Sequence, residues 1–78
     1  MWWLFEKKDE SDLHVLYAYS RGNRALDGLV RMNKHTSSVE VVKACKADGS
    51  KENAEDALEF LYGLQEEGFP QHRQIACG

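Results

Sequence analysis

The side chains that could ligate a metal ion or act as nucleophiles are few and widely spaced. They are three histidines and two cysteines: His14, His35, His72, Cys45 and Cys77. No two lie within four positions of each other, the spacing at which neighbouring residues chelate one zinc ion. The two thiols would meet only if a C-terminal strand lay beside the strand that ends at Cys45. We expect no metal site and no chemical role for either thiol.

Signatures of phosphate binding or of an activated nucleophile are also missing from the sequence. It contains no Gly-x-Ser-x-Gly, no Gly-rich phosphate loop and no His-Glu-x-x-His. A chain of 78 residues has little room for a deep pocket of several hundred Å³. We therefore expect no catalytic residue and no cofactor, and we predict that the protein is not an enzyme.

Charge divides the chain into a basic middle and an acidic end. Residues 13–46 hold six Lys or Arg against two Asp or Glu, a net charge of +4, whereas residues 47–78 hold two against seven, a net charge of −5. The total of −3 argues against nucleic acid as a partner. No apolar run approaches the roughly 20 residues of a membrane helix. The apolar start is too short for a signal peptide, so a cytoplasmic location is expected.

Three strands are predicted from the alternation of apolar and polar residues, over residues 13–19, 26–32 and 38–45. Short turns separate them, which favours an antiparallel meander. Gly28 inside the second strand indicates a bulge or a close approach of another group to the backbone. Residues 1–12 are interpreted as an apolar N-terminal segment with a charged, flexible lead-in, and residues 13–78 as a single small domain.

A helix is predicted over residues 50–68. Ser50 is a suitable N-cap, and Gly68 can adopt the left-handed conformation that ends a helix in a Schellman motif, with Phe69 packing on Leu64. Helical spacing separates an apolar face from an acidic face that includes Glu52, Glu55, Asp56, Glu59 and Glu66. The acidic face is interpreted as a solvated surface, and docking of a basic partner is the alternative.

The predicted fold class is α+β. A three-stranded antiparallel meander is followed by one amphipathic helix packed on one face of the sheet, and residues 73–77 could add a short edge strand. This arrangement leaves the second sheet face with basic residues and with room for the tyrosines.

Residues 48–54 (Asp-Gly-Ser-Lys-Glu-Asn-Ala) and the alanine and leucines that follow resemble the start of the last helix of double-stranded-RNA-binding domains. That family also places three antiparallel strands before this helix, so the resemblance implies a shared topology. The family grips phosphate through successive lysines in the first turn. This chain keeps Lys51 but carries Glu52 and Glu55 there, which would repel phosphate. RNA binding is not predicted at this helix.

A different surface could serve single-stranded nucleic acid. Aromatic and arginine side chains alternate along the basic middle of the chain: Tyr17, Tyr19, Arg21, Arg24 and Arg31. Exposed aromatics interleaved with arginine suit base stacking. The competing interpretation, which we favour, has the tyrosines half-buried in strands and the arginines in solvated turns.

The N-terminal aromatic residues Trp2, Trp3 and Phe5 are the most conspicuous apolar group. They could complete a small core, pair with a second copy of the chain or dip into a membrane surface. The sequence identifies no established activity. It favours a small cytoplasmic protein-interaction module that self-associates through these aromatics or through a sheet edge, with single-stranded nucleic-acid binding as the alternative.

Overall fold

A computed structural model describes residues 1–76 of the chain as a five-stranded antiparallel sheet with one helix. The elements are, in chain order, β1 (Trp2–Glu10), β2 (His14–Arg21), β3 (Gly28–Asn33), β4 (Val39–Lys43), a 3-10 turn (Glu52–Ala54), α1 (Glu55–Glu66) and β5 (His72–Ala76). The strands lie in the order β4-β3-β2-β1-β5. The α+β class is therefore confirmed. Within residues 1–76, no helix has the length and apolar character needed to cross a bilayer.

The prediction of a three-stranded meander is wrong in its count, because β1 and β5 also belong to the sheet. β1 lies between β2 and β5 and pairs antiparallel with both. The apolar half of β1 does not suggest a strand from sequence, because Trp2 to Phe5 do not alternate with polar residues. The charged residues 6–10, interpreted as a flexible lead-in, continue the same strand, with a register shift between Lys7 and Asp9.

β5 adds a strand at the edge opposite β4. Its register places Ile75 beside Trp3 and Arg73 beside Phe5. The sequence allows a short edge strand over residues 73–77, and the structure has one at His72–Ala76. Cys77 lies outside the described residues.

The core lies between the helix and one face of the sheet, which we call the covered face. Paired positions in neighbouring strands point to the same side, and Phe5, Tyr19 and Gly28 form one such row. The helix contributes alanines and leucines at helical spacing. The buried cluster consists of Trp3, Phe5, Val15, Tyr17, Tyr19, Val30, Met32, Cys45, Ala54, Ala57, Leu61 and Leu64.

The N-terminal end of the helix differs from the predicted single helix over residues 50–68, whereas its C-terminal end has the predicted Schellman motif. The Ser50 hydroxyl accepts from the Asn53 amide at 3.4 Å. In the described structure, neither the 3-10 turn nor α1 has a side-chain cap, so the prediction of Ser50 as the helix N-cap is wrong. At the other end, Gly68 has φ +81° and donates to the Gln65 carbonyl. Phe69 donates to the Leu64 carbonyl at 2.9 Å. These two bonds form the Schellman motif.

Candidate functional site

Tyr17 and Tyr19 lie on the covered face and are fully buried. The expectation that the second sheet face has room for them is therefore wrong. The alternation along β2 directs both rings toward the helix, where each hydroxyl has a partner. Tyr17 donates to the Pro70 carbonyl at 2.5 Å, and Tyr19 donates to Asp48 Oδ2 at 2.7 Å. Neither ring offers a face on which a base could stack.

Asp48 is the most deeply buried charged side chain in the described part of the chain, with 6% of its surface exposed. Three groups compensate its carboxylate. These are the Tyr19 hydroxyl, the Cys45 thiol, whose Sγ lies 3.4 Å from Oδ2, and the Arg21 guanidinium, whose Nε lies 2.8 Å from Oδ1. The Tyr19 hydroxyl also accepts from the Cys45 amide at 3.1 Å. This cluster ties the β4–helix connection to the middle of the sheet.

Gly28 gives Tyr19 the space it occupies. A Cβ atom on Gly28 would lie 2.3 Å from Cε1 of Tyr19, closer than any real side-chain contact. The close approach anticipated from the sequence is therefore present, and it comes from the aromatic ring on the neighbouring strand. Tyr19 and Gly28 are directly opposite in the register of β2 and β3.

Burial changes the acidity of both phenols. Removal from water, with smaller contributions from the charges of Glu10 and Glu67, raises the pKa of Tyr17 to about 12. Burial is also the main reason that the pKa of Tyr19 lies well above its ordinary value, and its hydrogen bond to Asp48 acts in the same direction. Both hydroxyls therefore stay protonated and donate hydrogen bonds within the fold, which is a structural role.

The three N-terminal aromatic candidates separate between the two faces. Trp3 and Phe5 belong to the core, and the Trp3 ring meets Phe60 of the helix edge-on with centroids 4.9 Å apart. Trp2 points to the other side of β1 and is half-buried. The Arg24 guanidinium lies 6.0 Å from the centre of its ring. Of the three, only Trp2 belongs to the face opposite the helix.

The sheet face away from the helix, which we call the open face, carries several apolar side chains on three adjacent strands. The register aligns Leu4 with Ser20, and it aligns Ala18 with Leu29 on one side and with Glu6 on the other. Leu4 and Ala18 are buried at the centre of the face, and three others around them are half-buried. We define the apolar strip as Trp2, Leu4, Leu16, Ala18 and Leu29.

The candidate arginines do not form one surface. Arg21 is half-buried and belongs to the Asp48 cluster, and it also donates to the Ala47 carbonyl. Arg24 covers Trp2. Arg31 lies on the open face and forms an ion pair with Glu40 of β4. The five predicted nucleic-acid contacts are thus spread over a core, a loop and a strand.

A shallow recess of about 260 Å³ lies where β2, β3 and β4 meet on the open face. It is mainly polar and open to solvent on one side. The Arg31–Glu40 ion pair forms one wall, so the charges within it cancel. Its lining residues are His14, Arg31, Asn33, Ser38, Val39 and Glu40.

One flank of the sheet exposes larger apolar groups. β4 is an edge strand, and its Val42 is 40% exposed. On the helix, Tyr62 is 44% exposed and Leu58 is half-buried. Gln65, on the same side of the helix, donates to Ser37 Oγ just before β4 at 3.2 Å. This side of α1 therefore faces the β4 edge.

The potential metal ligands do not converge in the described part of the chain. Residues 1–76 contain no group of three His, Cys, Asp or Glu side chains placed to hold an ion. Cys45 is a buried free thiol.

Comparison of the chain with protein-family models, with curated proteins and with solved structures gives no match. The candidate sites are therefore defined by the geometry alone. They are the apolar strip on the open face and the flank between β4 and the helix.

Proposed function

We propose that the protein is an interaction module that self-associates by packing the open faces of two copies together. The observation that supports this proposal is the apolar strip on a sheet face that has no helix over it. An antiparallel sheet with one solvated face normally alternates apolar residues inside with polar residues outside. Here β2 is apolar on both sides, with Tyr17 toward the helix and Leu16 and Ala18 away from it.

The size of the open face suits a small interface. The five strands hold 33 residues, and each residue covers about 16 Å² at about 4.8 Å between strands and about 3.3 Å along them. The open face therefore measures about 520 Å² per copy. Two copies would bury about 1,000 Å², the minimum expected of a specific interface. Stacked sheets pack about 10 Å apart, a distance that leucine and tryptophan side chains can fill.

The charge distribution favours the same pairing. The acidic residues of the helix, such as Glu55, Glu59 and Glu66, are exposed on the side away from the open face. Face-to-face packing keeps the two acidic helices at opposite ends of the dimer. On the open face itself, Arg31 and Glu40 neutralise each other, and the single charges of Glu6 and Lys43 are opposite in sign. Charge repulsion therefore disfavours a dimer formed through the helices, but it does not disfavour one formed through the open faces.

Substitution of Leu16 tests the proposal, and Leu13 provides a matched control. Leu13 precedes β2, is 45% exposed and lies outside the apolar strip. We expect the wild-type protein to sediment as a dimer, Leu16→Lys to sediment as a folded monomer, and Leu13→Lys to remain dimeric. Sedimentation equilibrium gives the mass, and circular dichroism checks the fold of each variant.

Two results would contradict self-association. One is a wild-type protein that stays monomeric up to about 1 mM, where even a complex with a micromolar Kd is fully formed. The other is a dimer that Leu16→Lys leaves intact, since that dimer would use another surface.

Single-stranded nucleic acid remains the second candidate for the same face. Support comes from the half-buried Trp2 ring with its Arg24 neighbour. Binding of a mixed oligonucleotide pool at low salt, weakened by Arg24→Ala or Arg31→Ala, would favour it, and absence of binding would remove it. We also propose a cytoplasmic location, since two cysteines are too few for the disulfide scaffold typical of small secreted domains.

A further inference from the structure

The second apolar surface lies at a different place from the open face. In the described part of the chain, β4 has a strand neighbour on one side only, so its outer backbone groups face solvent. An edge of this kind can accept an extended peptide as an additional strand. The five residues of β4 include three valines and no proline, a composition that suits strand pairing.

The helix supplies a wall beside this edge. Leu58, Tyr62 and Gln65 follow each other at four and three positions and lie on one side of α1. Gln65 bonds to Ser37, which fixes that side toward the start of β4. Leu58 is half-buried, and Tyr62 is 44% exposed. The β4 edge and this side of the helix lie next to each other, and we call the surface between them the β4–helix groove.

The charge around the groove is acidic. Glu55, Glu59 and Glu66 lie three or four positions from Leu58 or Tyr62, and all three are exposed. None of the hydrogen bonds or ion pairs in the described structure involves their carboxylates. β4 has a register shift at its C-terminal end, and a strand added along its regular part would direct every second side chain toward this wall. Long basic side chains could pack their stems on Tyr62 and bring their charged ends to the carboxylates.

We infer that the β4–helix groove binds an extended peptide with arginine or lysine at alternate positions. Backbone pairing with β4 holds the peptide, and the helix wall selects the basic side chains. A second copy of this chain is a poorer occupant. Pairing of β4 with a symmetry-related β4 would bring two acidic helices to the same side of the joined sheet, where their charges repel.

Binding of a labelled peptide of about seven residues that alternates arginine and valine tests the inference, because it spans the length of β4. The Leu16→Lys variant serves as the background, so the outcome does not depend on dimerisation. We expect saturable binding by fluorescence anisotropy that weakens as salt is raised. Tyr62→Ser should weaken binding about tenfold. Leu13→Ser, which alters an equally exposed apolar residue elsewhere, should leave it unchanged.

Two control peptides separate groove binding from simple attraction to an acidic surface. Replacement of arginine by glutamate should abolish binding, and replacement of the central valine by proline should weaken it at least about tenfold because a strand bond is lost. Equal binding of the proline peptide, or equal effects of Tyr62→Ser and Leu13→Ser, would overturn the inference. A wild-type dimer that Val42→Lys disrupts would also overturn it, since a second copy would then occupy the edge.

Discussion

The two faces of the sheet use apolar side chains in opposite ways. On the covered face, Tyr17 and Tyr19 are fully buried, and each hydroxyl has a partner within the chain. On the open face, Leu16 and Leu29 are half-buried, and no helix or strand within residues 1–76 packs over them. The covered face therefore determines the stability of the monomer. The open face has apolar area that only association would remove from water.

Truncation of one leucine on each side of the sheet should give the largest difference in the free energy of unfolding. Leu61→Ala should cost about 2–5 kcal/mol because it leaves a cavity beneath the helix. That is a large part of the roughly 4–12 kcal/mol expected for a domain of this size. Leu16→Ala should cost less than about 1.5 kcal/mol in the monomer, because the side chain is already half in water. Urea unfolding at low protein concentration measures both, and similar losses would show that the two faces are equivalent.

Gly28→Ala tests how tightly the covered face is packed. The new methyl group would collide with the Tyr19 ring, which Asp48 holds in place. We expect a loss of about 1–3 kcal/mol in the free energy of unfolding. In a Tyr19→Leu background, the same substitution should cost less, because the ring is gone. If the two losses simply add, Tyr19 is not the neighbour that requires glycine.

Unfolding at alkaline pH tests whether the fold raises the pKa of the buried Tyr17 phenol above its value in the unfolded chain. The folded pKa of Tyr17 is about 12, above the unfolded value of about 10. Its contribution to stability is therefore complete below about pH 10 and is lost as pH rises toward 12. Tyr17→Phe removes this ionisation, so its free energy of unfolding should fall less steeply over that interval. Identical slopes in urea titrations of both proteins would show that Tyr17 is not protected by the fold.

The smallest expected change in the free energy of unfolding comes from the outer side of the helix, which contacts neither face of the sheet. Gly63 has nothing within 4 Å of the position that a Cβ would take. Gly63→Ala should raise the free energy of unfolding by up to about 1 kcal/mol through helix propensity alone. It should not alter the dimer mass. A loss of stability would reveal a contact at Gly63 that the folded chain does not otherwise show.

The sequence was sufficient for the local elements but not for the whole sheet. β2 to β4 and the helix have clear periodicity, and the helix end was predicted down to the roles of Gly68 and Phe69. β1 was not predicted because neither of its two halves shows the alternation of apolar and polar residues that is typical of a strand. One half is uniformly apolar because it lies at the centre of the sheet, and the other is charged because it extends to the rim.

Of the candidate site residues, the tyrosines and Trp2 show what a single sequence can and cannot settle. Alternation places Tyr17 and Tyr19 on one face of β2, but it does not say which face the helix covers. The apolar character of Leu16 and Ala18 was visible and was a signal that β2 is apolar on both of its faces. Asp48 gave no signal, because its partners Tyr19 and Arg21 are far away in sequence.

The pairing of β1 with β5 has a consequence for the order of folding. Trp3 lies opposite Ile75, so the pairing of the inner strand β1 is completed by nearly the last residues of the described chain. Until β5 arrives, β1 has an unpaired edge beside its tryptophans. Contacts between such distant residues form late and slow folding, because a long loop must close first. A partly folded chain would thus expose a second, temporary strand edge, which β5 covers in the native protein.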